Sequence, residues 1–205
     1  IHTTLNQTAT ATGRLSSSNP NLQNIPVRGD MGRRMRTCFT AGPGMKLISA
    51  DYSQVELRVL AHYSQDPTLV AAFRKGEDIH TRTAALLHDV EPSEIGPDER
   101  RKAKTINFGL IYGMGPRKLA QDLAIPMTEA KMFIERYFAR FAHIKEFFDG
   151  VEESARELGY VTTLSGRRRP LPDMHSMSGQ ARALAERQAV NTLIQGSAAD
   201  LIKFA

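Results

Sequence analysis

The sequence predicts an α+β chain that is mostly helical, with a small amount of antiparallel sheet. Three observations predict it. The first 44 residues are rich in Thr, Ser, Asn, Gly and Pro, which favour short strands and loops. Beyond Asp51, apolar side chains recur mainly at helical spacing, most clearly at Phe133, Tyr137, Phe141, Ile144, Phe148 and Val151. Residues 160–169 read as a hairpin turning at Ser165–Gly166.

The elements follow in order. Met45 to Asp51 alternates imperfectly and predicts a buried strand ending at Asp51. Ser53 fits a helix N-cap, and Glu56 three residues on completes a capping box. Val55, Val59, Leu60 and Tyr63 give that helix its apolar stripe. Residues 66–96 read as short helical stretches broken at Pro67, Gly76, Pro92 and Gly96. A further helix opens at Pro97, where a missing N–H costs nothing. Asp98 and Glu99 complement its positive end, and Gly113 and Gly115 stop it after Tyr112. Residues 128–158 read as one long helical stretch, and residues 178–205 as mostly helix. There is no internal repeat and no low-complexity tract.

Length and composition set limits. The 205 residues suffice for one large domain or two small ones, and 41% hydrophobic content permits a sizeable core. No apolar run approaches the ~20 residues of a membrane helix. The chain starts at Ile1 with no basic-then-apolar leader, so the expectation is a fragment without a signal peptide. The one cysteine, Cys38, excludes an internal disulfide and fits a reducing compartment. Its expected role is buried filler.

Net charge is +5, and its distribution is uneven. Residues 1–50 carry 6 basic and 1 acidic side chain, residues 51–99 carry 4 and 10, and residues 100–205 carry 17 and 11. Basic stretches flanking an acidic one could hold a polyanion and keep carboxylates for a metal. A solvated mixed-charge surface is the alternative.

The most informative stretch is RRKAKTINFGLIYG, Arg100 to Gly113. On a wheel of about 100° per residue, Ala103, Ile106 and Leu110 form a packing stripe. Arg100, Lys104, Phe108 and Tyr112 step along the opposite face, with Ile111 projecting near it. Two cations followed by two rings suit a triphosphate, a sugar and a base. An amphipathic helix with a solvated basic turn and core rings fits the same pattern.

Four blocks decide between these. The Arg-Lys-Phe-Tyr-Gly spacing matches motif B of family A DNA polymerases. DYSQVELR, Asp51 to Arg58, matches their motif A. TATGRLSSSNPNLQNIP, Thr10 to Pro26, matches the palm segment before it, and QGSAAD, Gln195 to Asp200, the segment after the fingers. The chain therefore resembles a bacterial-type family A DNA polymerase over nearly its whole length. The resemblance implies a partial polymerase palm with a short antiparallel sheet, joined to a helical fingers subdomain. It implies partial palm at 1–60, fingers at 61–180 with the motif B helix at about 97–113, and a return to palm at 181–205, truncated before motif C.

The resemblance also implies the chemistry: transfer of a deoxynucleotide to a primer 3′ hydroxyl by a two-metal mechanism. Asp51 would be one of two aspartates holding Mg²⁺ (two ions in the full-length enzyme), and the Tyr52 carbonyl a further ligand. Oxygen donors suit that hard cation. Glu56 would be the steric gate against a ribose 2′ hydroxyl, a role that competes with its place in the capping box. Arg100, Lys104 and His80 would hold the triphosphate, with Lys104 also a proton donor to pyrophosphate. Phe108 would pack on the sugar, and as a Phe it implies poor acceptance of dideoxynucleotides. Tyr112 would close over the nascent pair.

DNA would be met through phosphates and the minor groove, whose acceptors vary little with sequence. The resemblance implies that Arg14, Asn21 and Gln23 sit near the primer–template end, and that Arg187, Asn191 and Gln195 do likewise from the helix after the fingers. The last three fall on one helix face at i, i+4 and i+8. Arg167, Arg168 and Arg169 would form a basic hairpin tip with weak phosphate contact. Expected partners are primer–template DNA and deoxynucleoside triphosphates, with no membrane, for a monomer in the cytoplasm near the nucleoid. A repair and primer-processing role follows by analogy alone.

The family's second catalytic aspartate lies in a His-Asp-Glu motif C that these residues lack, so the isolated chain is expected to be inactive and poorly stable. Two other readings compete. A non-catalytic nucleic-acid-binding module would keep the basic surfaces and need neither Asp51 nor Glu56. A single-subunit RNA polymerase would share the helix logic, but a gate at Glu56 would exclude its substrates.

Overall fold

The structure is a computed structural model that describes residues 2–26 and 29–205. The chain divides into two compact units, one running to Val55 and the other from Glu56 onward.

The first unit is built mainly from turns. Strands β1 (Thr4–Asn6) and β2 (Ser16–Ser18) pair antiparallel, with Leu5 opposite Ser17. The Thr3 hydroxyl staples their ends, lying 2.7 Å from the Ser17 hydroxyl and 2.8 Å from the Pro20 carbonyl. Asn21 caps a 3-10 turn, Leu22–Asn24, by accepting from the Gln23 N–H at 3.0 Å. Helix α1 (Gly29–Arg36) was not expected, because Gly29 and Gly32 read as loop signals. Arg33, Arg34 and Arg36 fill its last turn, where the negative end of the helix dipole favours cations. Cys38 just after it is exposed, which corrects the expectation of buried filler.

The predicted buried strand at Met45–Asp51 is also corrected. These residues adopt no regular element, and Met45, Leu47 and Ile48 are 74%, 64% and 91% exposed. A strand is stabilised by a ladder and a covered face. Among the described residues no strand pairs with this segment.

The second unit is helical. Helices α2 (Val55–Ser64), α3 (Pro67–Arg74) and α4 (Ile79–His88) come first. Pro67 opens α3 rather than breaking it, and Asp66 caps it by accepting from the Thr68 and Leu69 N–H groups at 3.0 and 3.1 Å. Helix α5 (Pro97–Ile111) has the expected bounds, and α6 (Pro116–Leu123) follows it.

The single helix expected at 128–158 is two, α7 (Met127–Arg140) and α8 (Ala142–Leu158). Phe141 leaves helical geometry between them at φ −120° and ψ 60°. Its ring stays buried, 4.8 Å from Tyr137, so the apolar spacing runs through the break and hides it from a periodicity argument. Strands β3 (Tyr160–Thr162) and β4 (Arg168–Pro170) form the expected hairpin, with Gly166 at φ 84° in its turn. Helix α9 (Gly179–Asn191) passes through a π turn, Thr192–Gly196, into α10 (Ser197–Phe204). One core of Leu60, Ile79, Ile106, Leu119, Tyr137 and Ile194 ties these helices together. No helix among the described residues is long and apolar enough to cross a membrane.

Candidate nucleotide and nucleic-acid site

Helix α5 carries the densest set of candidate residues. Ala103, Ile106 and Leu110 are buried, Arg100 and Lys104 exposed, and Phe108 and Tyr112 half-buried, as the wheel predicts. The helix ends because Gly113 takes a positive φ of 69°, which turns the Gly113 N–H back to the Leu110 carbonyl at 3.0 Å and the Met114 N–H back to the Gly109 carbonyl at 2.8 Å. A Cβ on Gly113 would stand 2.4 Å from Arg187 Cγ. The Arg187 stem therefore lies across the end of α5, in space that is open only because Gly113 has no side chain.

The rings line up. Phe108 and Tyr112 lie 6.4 Å apart at 26°, and His80 of α4 lies 5.7 Å from Phe108. The Tyr112 hydroxyl donates a hydrogen bond to the carboxylate of Glu56, which is buried on α2. Glu56, Tyr112, Phe108 and His80 thus form a continuous row drawn from three helices. At the other end of α5, Arg100 Nε and Nη2 donate to Asp78 at 2.6 and 3.2 Å. Asp78 is also the N-cap of α4, accepting from the Thr81 N–H and hydroxyl at 3.3 and 2.5 Å.

Electrostatics follow from this packing. Burial would raise the Asp78 pKa, but hydrogen bonds from Arg100 and Thr81 and the guanidinium charge outweigh it and hold it at about 2. Burial pushes His80 down to about 4, with Arg100 and Lys104 adding to the effect and Asp78 opposing it. His80 is therefore neutral at pH 7. The Arg100 pKa is raised by its hydrogen bond and ion pair with Asp78.

Three polar residues to which the sequence assigns no individual role emerge here. Asp78 had a legible signal, an Asp just before a helix. Asn107 is 1% exposed on the packing side of α5 and bonds both His80 and Thr83. Asp200 is buried and accepts from Thr163, Ser165 and Arg167 at 2.7, 2.5 and 3.0 Å. Burial would raise its pKa, but these three donors keep it lowered. The three hairpin arginines are all engaged internally. Arg167 pairs with Asp200, Arg168 lies 4.8 Å over the Tyr160 ring, and Arg169 donates to the Thr192 hydroxyl at 2.8 Å.

On the same unit, Arg187 is exposed, Gln195 half-buried, and the Asn191 Oδ1 is buried with no hydrogen-bond partner. The π turn begins just after Asn191, so Gln195 does not follow it by ordinary α-helical arithmetic.

In the first unit, Asp51 and Tyr52 lie outside any regular element and are exposed. Arg14, Asn21 and Gln23 are exposed too. Asn21 serves as the turn cap, and Gln23 Nε2 donates to the Leu15 carbonyl at 2.9 Å. Asp51 and the Tyr52 carbonyl are oxygen donors of the kind a hard cation takes. They are a partial set: among the described residues no three His, Cys, Asp or Glu side chains gather to hold a metal.

The profile of DNA polymerase family A matches residues 1–205. The thermostable DNA polymerase I of Thermus thermophilus is 53% identical over 205 residues, 100% of this chain and 25% of that one. DNA polymerase I of Geobacillus stearothermophilus is 52% identical over 204 residues, 99% of this chain and 23% of that one. The chain thus spans about a quarter of the length of these relatives. Among solved structures, the POL domain of Pol1 from M. smegmatis in complex with DNA primer-template and dNTP superposes with a TM-score of 0.92 at 48% identity. The match covers 99% of this chain and 36% of that one.

Proposed function

Because the chain belongs to DNA polymerase family A, we propose that it forms the nucleotide-binding face and part of the palm of a template-directed DNA polymerase. The observation that carries this reading is the row on α5, with cations at one end, stacked rings at the other and a buried carboxylate against the last ring. A deoxynucleoside triphosphate matches it in order: phosphates at Arg100, Lys104 and His80, sugar at Phe108 and Glu56, nascent pair at Tyr112. Its likeness to a domain solved with primer-template and dNTP supports the same partners.

The roles follow from the environments. Arg100 keeps N–H groups beyond the two that hold Asp78, so it can grip a phosphate from a fixed position. Lys104 is exposed, and it would neutralise and protonate the departing pyrophosphate. Glu56, fixed by Tyr112, would exclude a 2′ hydroxyl by bulk. Arg14, Asn21, Gln23, Arg187, Asn191 and Gln195 would meet the primer–template. Residues 1–60 and 181–205 would be palm and 61–180 fingers.

Asp51 and the Tyr52 carbonyl would hold Mg²⁺. When bound, that ion supplies activation of the primer hydroxyl and charge stabilisation at phosphate. The 205 residues contain no His-Asp-Glu segment for the second carboxylate, so on this reading they do not extend a primer unaided. The full-length protein acts as a monomer on nucleoid DNA.

Lys104→Ala tests the proposal. In the full-length protein it lowers turnover at saturating nucleotide by on the order of a hundredfold or more. Affinity for primer-template changes about twofold or less, since one phosphate contact is a small part of the DNA interface. Unchanged turnover would refute the role.

A further inference from the structure

Asn107 is a polar residue inside the packing face of α5, and the nucleotide reading leaves it without a task. Its Nδ2 lies 3.1 Å from His80 Nδ1 and 3.1 Å from the Thr83 hydroxyl. Thr83 is itself 0% exposed; its hydroxyl lies 2.8 Å from the Ile79 carbonyl and 3.2 Å from Asn107 Oδ1, and with its one proton on the shorter contact its oxygen accepts from Asn107 Nδ2. An amide NH₂ can only donate. His80 Nδ1 must then accept, and the ring proton must sit on Nε2.

We propose that Asn107 is a positioning residue: with Thr83 it holds His80 as the Nε2–H tautomer, a neutral donor for a nucleotide phosphate oxygen. This rests on the phosphate role given to His80 above. A freely rotating imidazole would divide its proton between two nitrogens and turn its ring. Locking Nδ1 removes both freedoms, as ligand histidines are locked by an outer hydrogen bond. The charged groups facing the ring agree. Arg100 and Lys104 on α5 oppose a second proton, and Asp78 on α4, which favours one, is neutralised by its pair with Arg100.

Histidine ring ¹⁵N NMR on the full-length protein reads the tautomer directly. The native protein should show a protonated Nε2 and a bare Nδ1 at His80 from about pH 5.5 to 8. Asn107→Asp keeps the shape but offers an acceptor. It should move the proton to Nδ1 and make the nucleotide KM vary with pH where the native KM is flat. Asn107→Ala should raise KM on the order of fivefold with kcat within about twofold, the size expected for one hydrogen bond. It should add nothing in a His80→Ala background.

A native Nδ1–H tautomer, or an Asn107→Ala effect undiminished without His80, overturns the positioning role and leaves the phosphate role standing. An unchanged KM in His80→Ala overturns the phosphate role and the inference with it, whatever the tautomer.

Discussion

Glu56 and Tyr112 illustrate how one hydrogen bond serves two ends. A buried carboxylate without a donor is costly, and Tyr112 supplies one from the end of α5. Tyr112→Phe removes one hydrogen bond to that carboxylate and should therefore destabilise the protein by about 0.5–1.5 kcal/mol, measured by denaturant unfolding. Replacing both partners, Glu56→Leu with Tyr112→Phe, should recover part of that loss while abolishing the preference for deoxynucleotides. A loss no smaller in the double variant would show that the pair does not set the cost. The Asp78–Arg100 pair makes a pH prediction. The Asp78 pKa is depressed to about 2, so its stabilising contribution is present above the ordinary aspartate value and lost as pH falls through about 2. Stability curves of the native protein and Asp78→Asn should differ at pH 6 and converge only as the pH falls to about 2 and below. Because both side chains are part-exposed, the gap is modest and shrinks with salt. A gap that persists at low pH would assign it to something other than this charge.

Elements were legible wherever a local signal coincided with burial. Helix α5 could be bounded from Pro97 and Gly113, and the hairpin from Ser165–Gly166, because φ preferences act within a few residues. Periodicity failed at Phe141, where the backbone turns but the ring stays in the core. It failed again at the π turn, since one widened turn leaves no mark on an apolar pattern. The row of Arg100, Lys104, Phe108 and Tyr112 was visible from spacing alone. Asn107 and Asp200 were not, because their partners lie 24 to 37 residues away in sequence, and Asp78 was legible as a helix cap but not as the partner of Arg100, 22 residues away. At Gly113 the element makes its own prediction. Gly113→Ala must hold a positive φ and push against the Arg187 stem, so it should cost on the order of 1–3 kcal/mol. In an Arg187→Ala background only the backbone part should remain. Equal losses in the two backgrounds would mean that the stem gives way freely.

For the whole molecule, the two units differ in what stabilises them. The second has a shared core with fully buried Leu60, Ile79 and Ile194. The first leaves Met45, Leu47 and Ile48 exposed on a stretch without regular backbone hydrogen bonding. Opening such a segment requires little free energy, whereas opening a packed helix approaches the global cost. Trypsin should therefore cut these 205 residues after Lys46, which is exposed in that stretch, before any site within α5 or α8. Residues from about Glu56 onward should then survive as a fragment that unfolds in one cooperative step. Mass spectrometry of a time course checks the order of cleavage, and circular dichroism of the fragment checks cooperativity. Early cleavage after Lys102 or Lys104 would mean that the α5 row lacks the rigidity a nucleotide-binding face needs.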